Sequence, residues 1–458
     1  MILLDIKELQ AERTGIFRDV YSNKIPKRVP VNLSLTLEFT AGFGNLNMAE
    51  AQWNLSLLED AADKLCQTFY SDSCPFGGSM RYPSYYQTLQ SQSFIMGSNG
   101  FIQHPEVVGM DVEDYDYLIE KPFDCIVERI IPRQYKGLNP EDPVNMALNL
   151  AKALMCYNND FGQTGMLIQK LVQKYGYDPG FPPSSGGFTE APFDFIADQL
   201  RGFREVSKDI RRIPEKLAEA CDAVYPIVFK KGLPAKPTEF SYVFFPLHMP
   251  TFMREKDFAK LWWPSFKRMV DEYASMGIHS KLFCEDDWTR YIDYLYELPA
   301  NTVLLFEYGD IRKIKDKLGK KHVITGLYPI SMLKNCSKEE CLDKAKEMLD
   351  VLAPGGNYIF SFDKPILSVR DINIENLAAV LEYVRDNGAY DNPGETAGLS
   401  FRPEDYKIDP SQSRKLESKY FTNWEEYKTL YPQTTDYGIK KLQAVENPLF
   451  QFLIYLLV

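Results

Sequence analysis

Residues 255–288, "EKDFAKLWWPSFKRMVDEYASMGIHSKLFCEDDW", decide how the chain is to be read. Apolar residues recur at helical spacing up to Met276, Gly277 stops the helix, and "HSKLF" follows as a short buried strand. The same alternation continues on both sides. Upstream, "FSYVFFPLHM" (240–249) reads as a strand. Downstream come a helix over 288–299, strand "TVLLF" (302–306), helix 310–319 and strand "HVITGL" (322–327). Helix 337–353, strand "NYIFSF" (357–362) and helix 373–388 complete the series. Strands alternating with helices over short connections specify α/β architecture with a parallel sheet, either a (β/α)8 barrel or a doubly wound sheet.

The first half is less regular. Residues 1–25 read as a helical extension, and "IPKRVPVNLSLTLEF" (25–39) as a first strand. Residues 48–70, 140–176 and 194–224 carry helical periodicity. Two Gly-, Pro- and Ser-rich stretches, about 72–100 and 177–194, read as irregular insertions; "YDPGFPPSSGGFTEAPFDF" (177–195) is expected to be a surface loop or lid without regular structure. No linker or repeat divides the chain, so residues 1–458 are expected to form one domain. The apolar end "NPLFQFLIYLLV" (447–458) is too short to span a bilayer and reads as a buried helix or strand, or a subunit contact.

A net charge of −11 disfavours nucleic acid and anionic membranes as partners. The start, "MILLDIKELQ", carries acidic residues too early for a secretory signal. Eight scattered cysteines without a CxxC pair point to reduced thiols and a cytoplasmic setting. No phosphate-cradling glycine loop, GxSxG or HExxH is present in proper context.

In parallel α/β folds, ligands bind at the carboxyl ends of the strands. Those ends carry His248, then Cys284 with Glu285, Asp286 and Asp287, then Glu307 and Asp310, then Tyr328, then Asp363 and Lys364. Asp286 or Asp287, and Asp310, are placed to cap the helices that follow. Capping does not account for Glu285 and Glu307, which come directly after the last apolar strand residue. Cys284 and Glu285 alternate, so one faces the interior, and Glu285 is the expected one. Glu285, Glu307 and His248 are therefore the catalytic candidates.

"FMREKDFAKLWWPSFKRMVDEYASMGIHSKLFCEDD" (252–287), "KDKLGKKHVITGLYPISMLKNCSKEECLDKAKEMLD" (315–350), "GGNYIFSFDKPI" (355–366) and "NKIPKRVPVNLSL" (23–35) resemble the uroporphyrinogen decarboxylase superfamily. The resemblance implies a TIM barrel and offers two chemistries. Decarboxylases of that superfamily grip their substrate with an arginine-rich stretch after the first strand, whereas "VNLSLTLEFTAGFGN" (31–45) has no Arg. The other branch is the cobamide-dependent methyltransferases. Those acting on thiols hold zinc through His and Cys at positions matching Phe283, Glu285 and roughly Asp363 or Lys364, so the soft ligands are missing here. Carboxylates suit an oxygen substrate better. The resemblance is therefore closest to O-demethylating enzymes, which pass methyl from a phenyl methyl ether to the cobalt of a separate corrinoid protein. It implies Glu285 and Glu307 meeting at one substrate oxygen or one zinc ion. A ring pocket of Trp288, Tyr291, Tyr328 and Phe245, with Asp363 beside it, is expected to hold the substrate. Decarboxylation and methylcobamide:thiol methyl transfer are the alternatives, and an aromatic-binding barrel without catalysis is a third.

Overall fold

The computed structural model describes residues 5–180, 185–408 and 415–458. Its centre is a six-stranded parallel sheet with sequential neighbours, as helical crossovers require. The elements used below are α1 (Ile6–Tyr21), β1 (Leu35–Thr36), β2 (Phe76–Gly78), α2 (Pro143–Tyr175), β3 (Gly186–Phe188), α3 (Pro214–Gly232) and β4 (Tyr242–Leu247). They continue with α4 (Trp263–Ser275), β5 (His279–Asp287), β6 (Val303–Tyr308), α5 (Ile311–Leu318), β7 (Val323–Gly326), α6 (Lys338–Leu352), β8 (Tyr358–Ile359), α7 (Ile374–Asn387) and α8 (Asp436–Tyr455). The sheet runs β3-β4-β5-β6-β7-β8. Beyond β8, Val31 bridges Phe360 in parallel; β1 pairs with β2, and Ser73 bridges Asp178.

The strand–helix series from 240 to 388 stands close to where the hydrophobic pattern put it, although the strand expected over 357–362 is regular only over β8 and an added short helix, Ile330–Asn335, follows β7. The expected helix 255–277 is not uniform: a π-helical turn, Phe258–Trp262, precedes α4. Pro264, at the start of α4, has no amide hydrogen to give the preceding turn, so the backbone widens there. The helical run 194–224 is likewise split. Gly202, at φ 82°, and Pro214 separate a π-helical stretch (Phe195–Arg201), the helix Phe203–Arg212 and α3.

The stretch 177–195 is corrected more substantially. It carries β3, which pairs with β4 in register Gly186↔Tyr242 to Phe188↔Phe244. The glycines that looked like breakers are strand residues, and one of them is needed for close backbone approach. A Cβ on Gly187 would lie 1.8 Å from the carbonyl oxygen of Gly232 at the end of α3. Residues 181–184, where a lid was expected, lie outside the described residues.

The apolar C-terminus is the second half of α8. Phe452, Ile454 and Leu456 to Val458 are buried, Phe452 among Tyr85 and Tyr157, and the Tyr135 hydroxyl donates to the Leu456 carbonyl. Among the described residues no helix is long and apolar enough to cross a membrane, and all eight cysteines are free.

Candidate functional site

Strand register assembles the site. Leu247 of β4 pairs with Cys284 of β5, so the next residue along each strand, His248 and Glu285, meet at the carboxyl end. His248 Nδ1 lies 2.5 Å from Glu285 Oε2. On the other side of β5, Cys284 pairs with Phe306, and a bulge follows before Asp287 pairs with Tyr308. Asp286 occupies the bulge at φ 61°, strained for a residue with a side chain, and its amide donates to Glu307 Oε2 at 2.9 Å. Lys364 Nζ donates to Glu307 Oε1 at 2.6 Å. The carboxylates at these two strand ends are thus divided: Glu285 goes to an imidazole, Glu307 to a bulge amide and a lysine, and Asp287 to a helix start. Asp287 takes the last role, accepting from the Thr289 amide at 2.8 Å, and Asp310 caps α5 through the amides of Arg312 and Lys313.

Beneath His248 lies a set of buried acids that sequence reading missed. Glu190, Asp194 and Asp198 are spaced four apart: Glu190 precedes the short helical turn Pro192–Asp194, and Asp198 lies in the π-helical stretch Phe195–Arg201 that follows. Asp194 accepts from the His248 amide at 3.1 Å, the Met249 amide at 3.4 Å and Trp262 Nε1 at 2.7 Å. Burial outweighs these donors and pushes its carboxyl up to about 7. Asp198 Oδ2 lies 3.8 Å from His248 Nε2, and its buried Oδ1 has no partner. Burial raises Asp198 as well. Glu190, also raised by burial, accepts from Gln199 Nε2 at 2.8 Å, while its Oε2 is buried without a partner. Lys231 Nζ donates to the Phe188 carbonyl at 3.0 Å; burial lowers it to about 8 against the opposing charge of Glu190. The readable signal was an acid at every fourth position of an apolar run, "EAPFDFIAD".

His248 takes its state from this surround. Burial disfavours the imidazolium, but the hydrogen bond to Glu285 and the charges of Asp198, Glu285 and Asp194 override it, and the ring is pushed up to about 10. Arg81 adds a cationic edge, with a neutral His104 beside it. The guanidinium sits 4.7 Å from the Phe94 ring centre and His104 stacks on that ring at 4.3 Å. Burial, helped by the charges of Arg81 and His248, lowers His104 to about 4.

Several expected roles are corrected. Glu285 and Glu307 stand on neighbouring strands, but they do not share an oxygen or an ion: one is paired with His248, the other with Lys364 and the Asp286 amide. Cys284 is fully buried on the opposite face. Among the described residues no group of three or more His, Cys, Asp or Glu is arranged to hold a metal ion. Zinc at Glu285 and Glu307 does not fit this donor set. The expected ring pocket is core. Phe245, Trp288, Tyr291 and Tyr328 are each 0% exposed. Phe245 packs edge-on against Phe266, and Trp288 packs against Trp262 and gives its Nε1 hydrogen to the Glu285 carbonyl. The hydroxyls of Tyr291 and Tyr328 are spent on the carbonyls of Pro250, Met253 and Cys341. Asp363 is buried and accepts from the Ile330 amide at 3.2 Å, a structural task. The sequence placed these aromatics around a substrate ring; nothing in their spacing shows which neighbours cover them.

Residues 184–387 match the family model for uroporphyrinogen decarboxylase (URO-D). That segment spans β3 to α7 and contains Glu190, Asp194, Asp198, His248, Glu285 and Glu307. Among solved structures, a methyltransferase from Methanosarcina mazei superposes with a TM-score of 0.52 at 12% identity, covering 82% of this chain and 98% of that chain. At that identity the likeness is one of fold. No curated protein matches.

Proposed function

We propose that the chain forms a closed (β/α)8 barrel, a single domain from end to end, and acts as a methyltransferase. Its methyl donor would be a methoxylated aromatic and its acceptor the cobalt of a corrinoid held by a separate protein. The bridges Val31↔Phe360 and Ser73↔Asp178, which carry the pairing past both ends of the six-stranded sheet, support the closure. One observation carries the activity: an imidazolium held between Glu285 and Asp198 at the carboxyl ends of the strands.

Breaking an aryl methyl ether at the methyl carbon leaves a phenoxide, and the barrier falls if that oxygen receives a proton as the bond breaks. The partner's corrinoid supplies the nucleophile that takes the methyl group. His248 supplies the proton from Nε2, and Glu285 fixes the ring through Nδ1–H. A donor at about 10 is matched to a phenolic oxygen, whose ordinary pKa is about 10, so transfer is close to thermoneutral. Asp198, raised by burial and 3.8 Å from Nε2, returns the proton to that nitrogen. The ether thus leaves as phenol, and one proton is consumed per methyl group moved.

The URO-D match favours decarboxylation as a second reading, in which the same imidazolium would protonate the carbanion. The carboxylates around His248 oppose it, because the carboxylate to be removed would have to sit against them, whereas an ether can turn a ring carboxylate away. The test is incubation with a reduced corrinoid protein and vanillate-like ethers while the cobalamin spectrum is followed. Methylcobamide should form, and His248→Gln should slow it by about 10² to 10⁴-fold, the usual worth of a general acid. Absence of methyl transfer from every ether and alcohol tried would end the reading.

A further inference from the structure

The interior face of β5 carries a second polar side chain. Lys281 and Glu285 are four residues apart and face the same side, which at about 3.3 Å per residue separates them by about 13 Å along the strand. Glu285 serves the carboxyl end; Lys281 is near the amino end, where barrel interiors are ordinarily filled by apolar side chains. Here the packing leaves a cavity of about 160 Å³. The strands contribute Tyr242, Lys281, Val303 and Thr325 to its wall, and α1 closes it with Phe17 and Tyr21.

The polar groups of this cavity are mostly donors. Among the described residues Lys281 has no ion-pair partner, and burial alone lowers its amine, with no carboxylate raising it. Thr325 is 4% exposed, and its Oγ1 has no partner. Asn32 accepts from Ser73 Oγ through Oδ1 at 2.6 Å, which leaves its amide hydrogens available. The one acid on the wall, Asp178, is engaged with Thr14 Oγ1 at 3.0 Å and raised by burial. A second cavity of about 270 Å³ shares Phe17, Asp178, Gly180 and Phe240 with the first and carries Arg18 and Glu239.

A buried ammonium without a counter-charge is costly, and so is a buried hydroxyl without a partner. An anion with an apolar body would relieve both. We propose that this cavity is a binding site for a small organic monocarboxylate, its carboxylate on Lys281 and Thr325 and its body against Phe17 and Val303. The site is independent of the methyl-transfer reading and lies at the opposite end of the sheet. Its volume is close to that of cavities that accept a benzene ring, about 150 Å³, so benzoate is a fitting probe.

The experiment is titration calorimetry of the full chain with benzoate and with benzamide, its neutral isostere, for wild type, Lys281→Met and Thr325→Val. Benzoate should bind one per chain, at least about tenfold more tightly than benzamide. Lys281→Met should abolish that preference while melting no lower than wild type, because it removes an unpaired buried amine. Thr325→Val, which keeps the side chain's shape, should weaken benzoate severalfold; with the wild-type preference, it decides the matter if Lys281→Met fails to fold. No binding of benzoate, equal affinity for benzamide, or wild-type affinity in Lys281→Met would overturn the proposal. The first outcome would leave a cavity for water only, and the last would put benzoate at the other end of the sheet.

Discussion

Replacing Glu285 by Gln keeps the shape of the partner of His248 and removes its charge. A histidine held at about 10 and not at its ordinary value of about 6.5 carries about 5 kcal/mol of preference for the charged ring. The side chains of His248 and Glu285 are 31% and 27% exposed, so solvent screening reduces that figure to about half. Glu285 makes the direct contact, while Asp198 stands 3.8 Å from the ring and Asp194 bonds only the backbone amide. Loss of the Glu285 charge is therefore worth about 2 kcal/mol and should move the titration of His248 down by about 1.5 pH units. Because the folded-state value is raised, the stabilisation is fully present below about pH 6.5 and is lost as pH rises to about 10. The variant's deficit of about 2 kcal/mol should hold up to about pH 8.5 and close by about pH 10. Imidazole ¹⁵N NMR reads this cleanly. Burial holds His104 and His279 at about 4 and His322 at about 3, so His248 is the single imidazolium above neutrality. Urea unfolding at pH 7 and pH 10 measures the accompanying stability. A wild-type His248 titrating near 6.5, or a Glu285→Gln protein in which it does not move, would refute the assignment of charge at the site.

Gly187→Ala should cost about 3 kcal/mol or more in urea unfolding, since the added methyl meets a backbone carbonyl that cannot swing away. Tyr328→Phe should lower stability by about 1 kcal/mol by removing a buried hydrogen bond to the Cys341 carbonyl, and should leave methyl transfer at the wild-type rate; a large loss of rate would return the ring to a substrate pocket. Lys364→Met should raise Glu307, whose carboxyl the lysine holds below its ordinary range against the opposing effect of burial. That stabilisation is present above about pH 4.5 and lost as pH falls; for this partly exposed pair it should stay under about 1 kcal/mol at pH 7. Elemental analysis of protein purified without chelator should find less than one zinc per chain, because Glu285 and Glu307 are committed to His248 and Lys364.

Much of the fold was legible because the information is local. A helix face at spacing 3.6, a glycine stop and a short apolar run recur from residue 240 to 388, and each instance can be recognised within about 20 residues. The same locality made Asp310 readable as a cap and set Glu285 opposite Cys284 on β5. Where a residue's role depends on what approaches it from elsewhere, the reading failed. Gly187 looks like a loop residue unless the carbonyl of Gly232 is known to pass close by. Trp288 and Tyr291 look like a ring pocket unless Phe258 and Trp262 are known to cover them.

The alternation of strands and helices from 240 to 388 and the strand ends that present His248, Glu285 and Glu307 were settled by the chain's own pattern. Which side chains touch was not. Parallel register brought His248 to Glu285, and a bulge gave Glu307 to Asp286 and Lys364. The acids of the 190–198 segment came beneath the ring through a connection that no local rule reports. Pairing across a sheet depends on the alignment of segments tens of residues apart. The energies that fix that alignment belong to the assembled core and to no single stretch of chain.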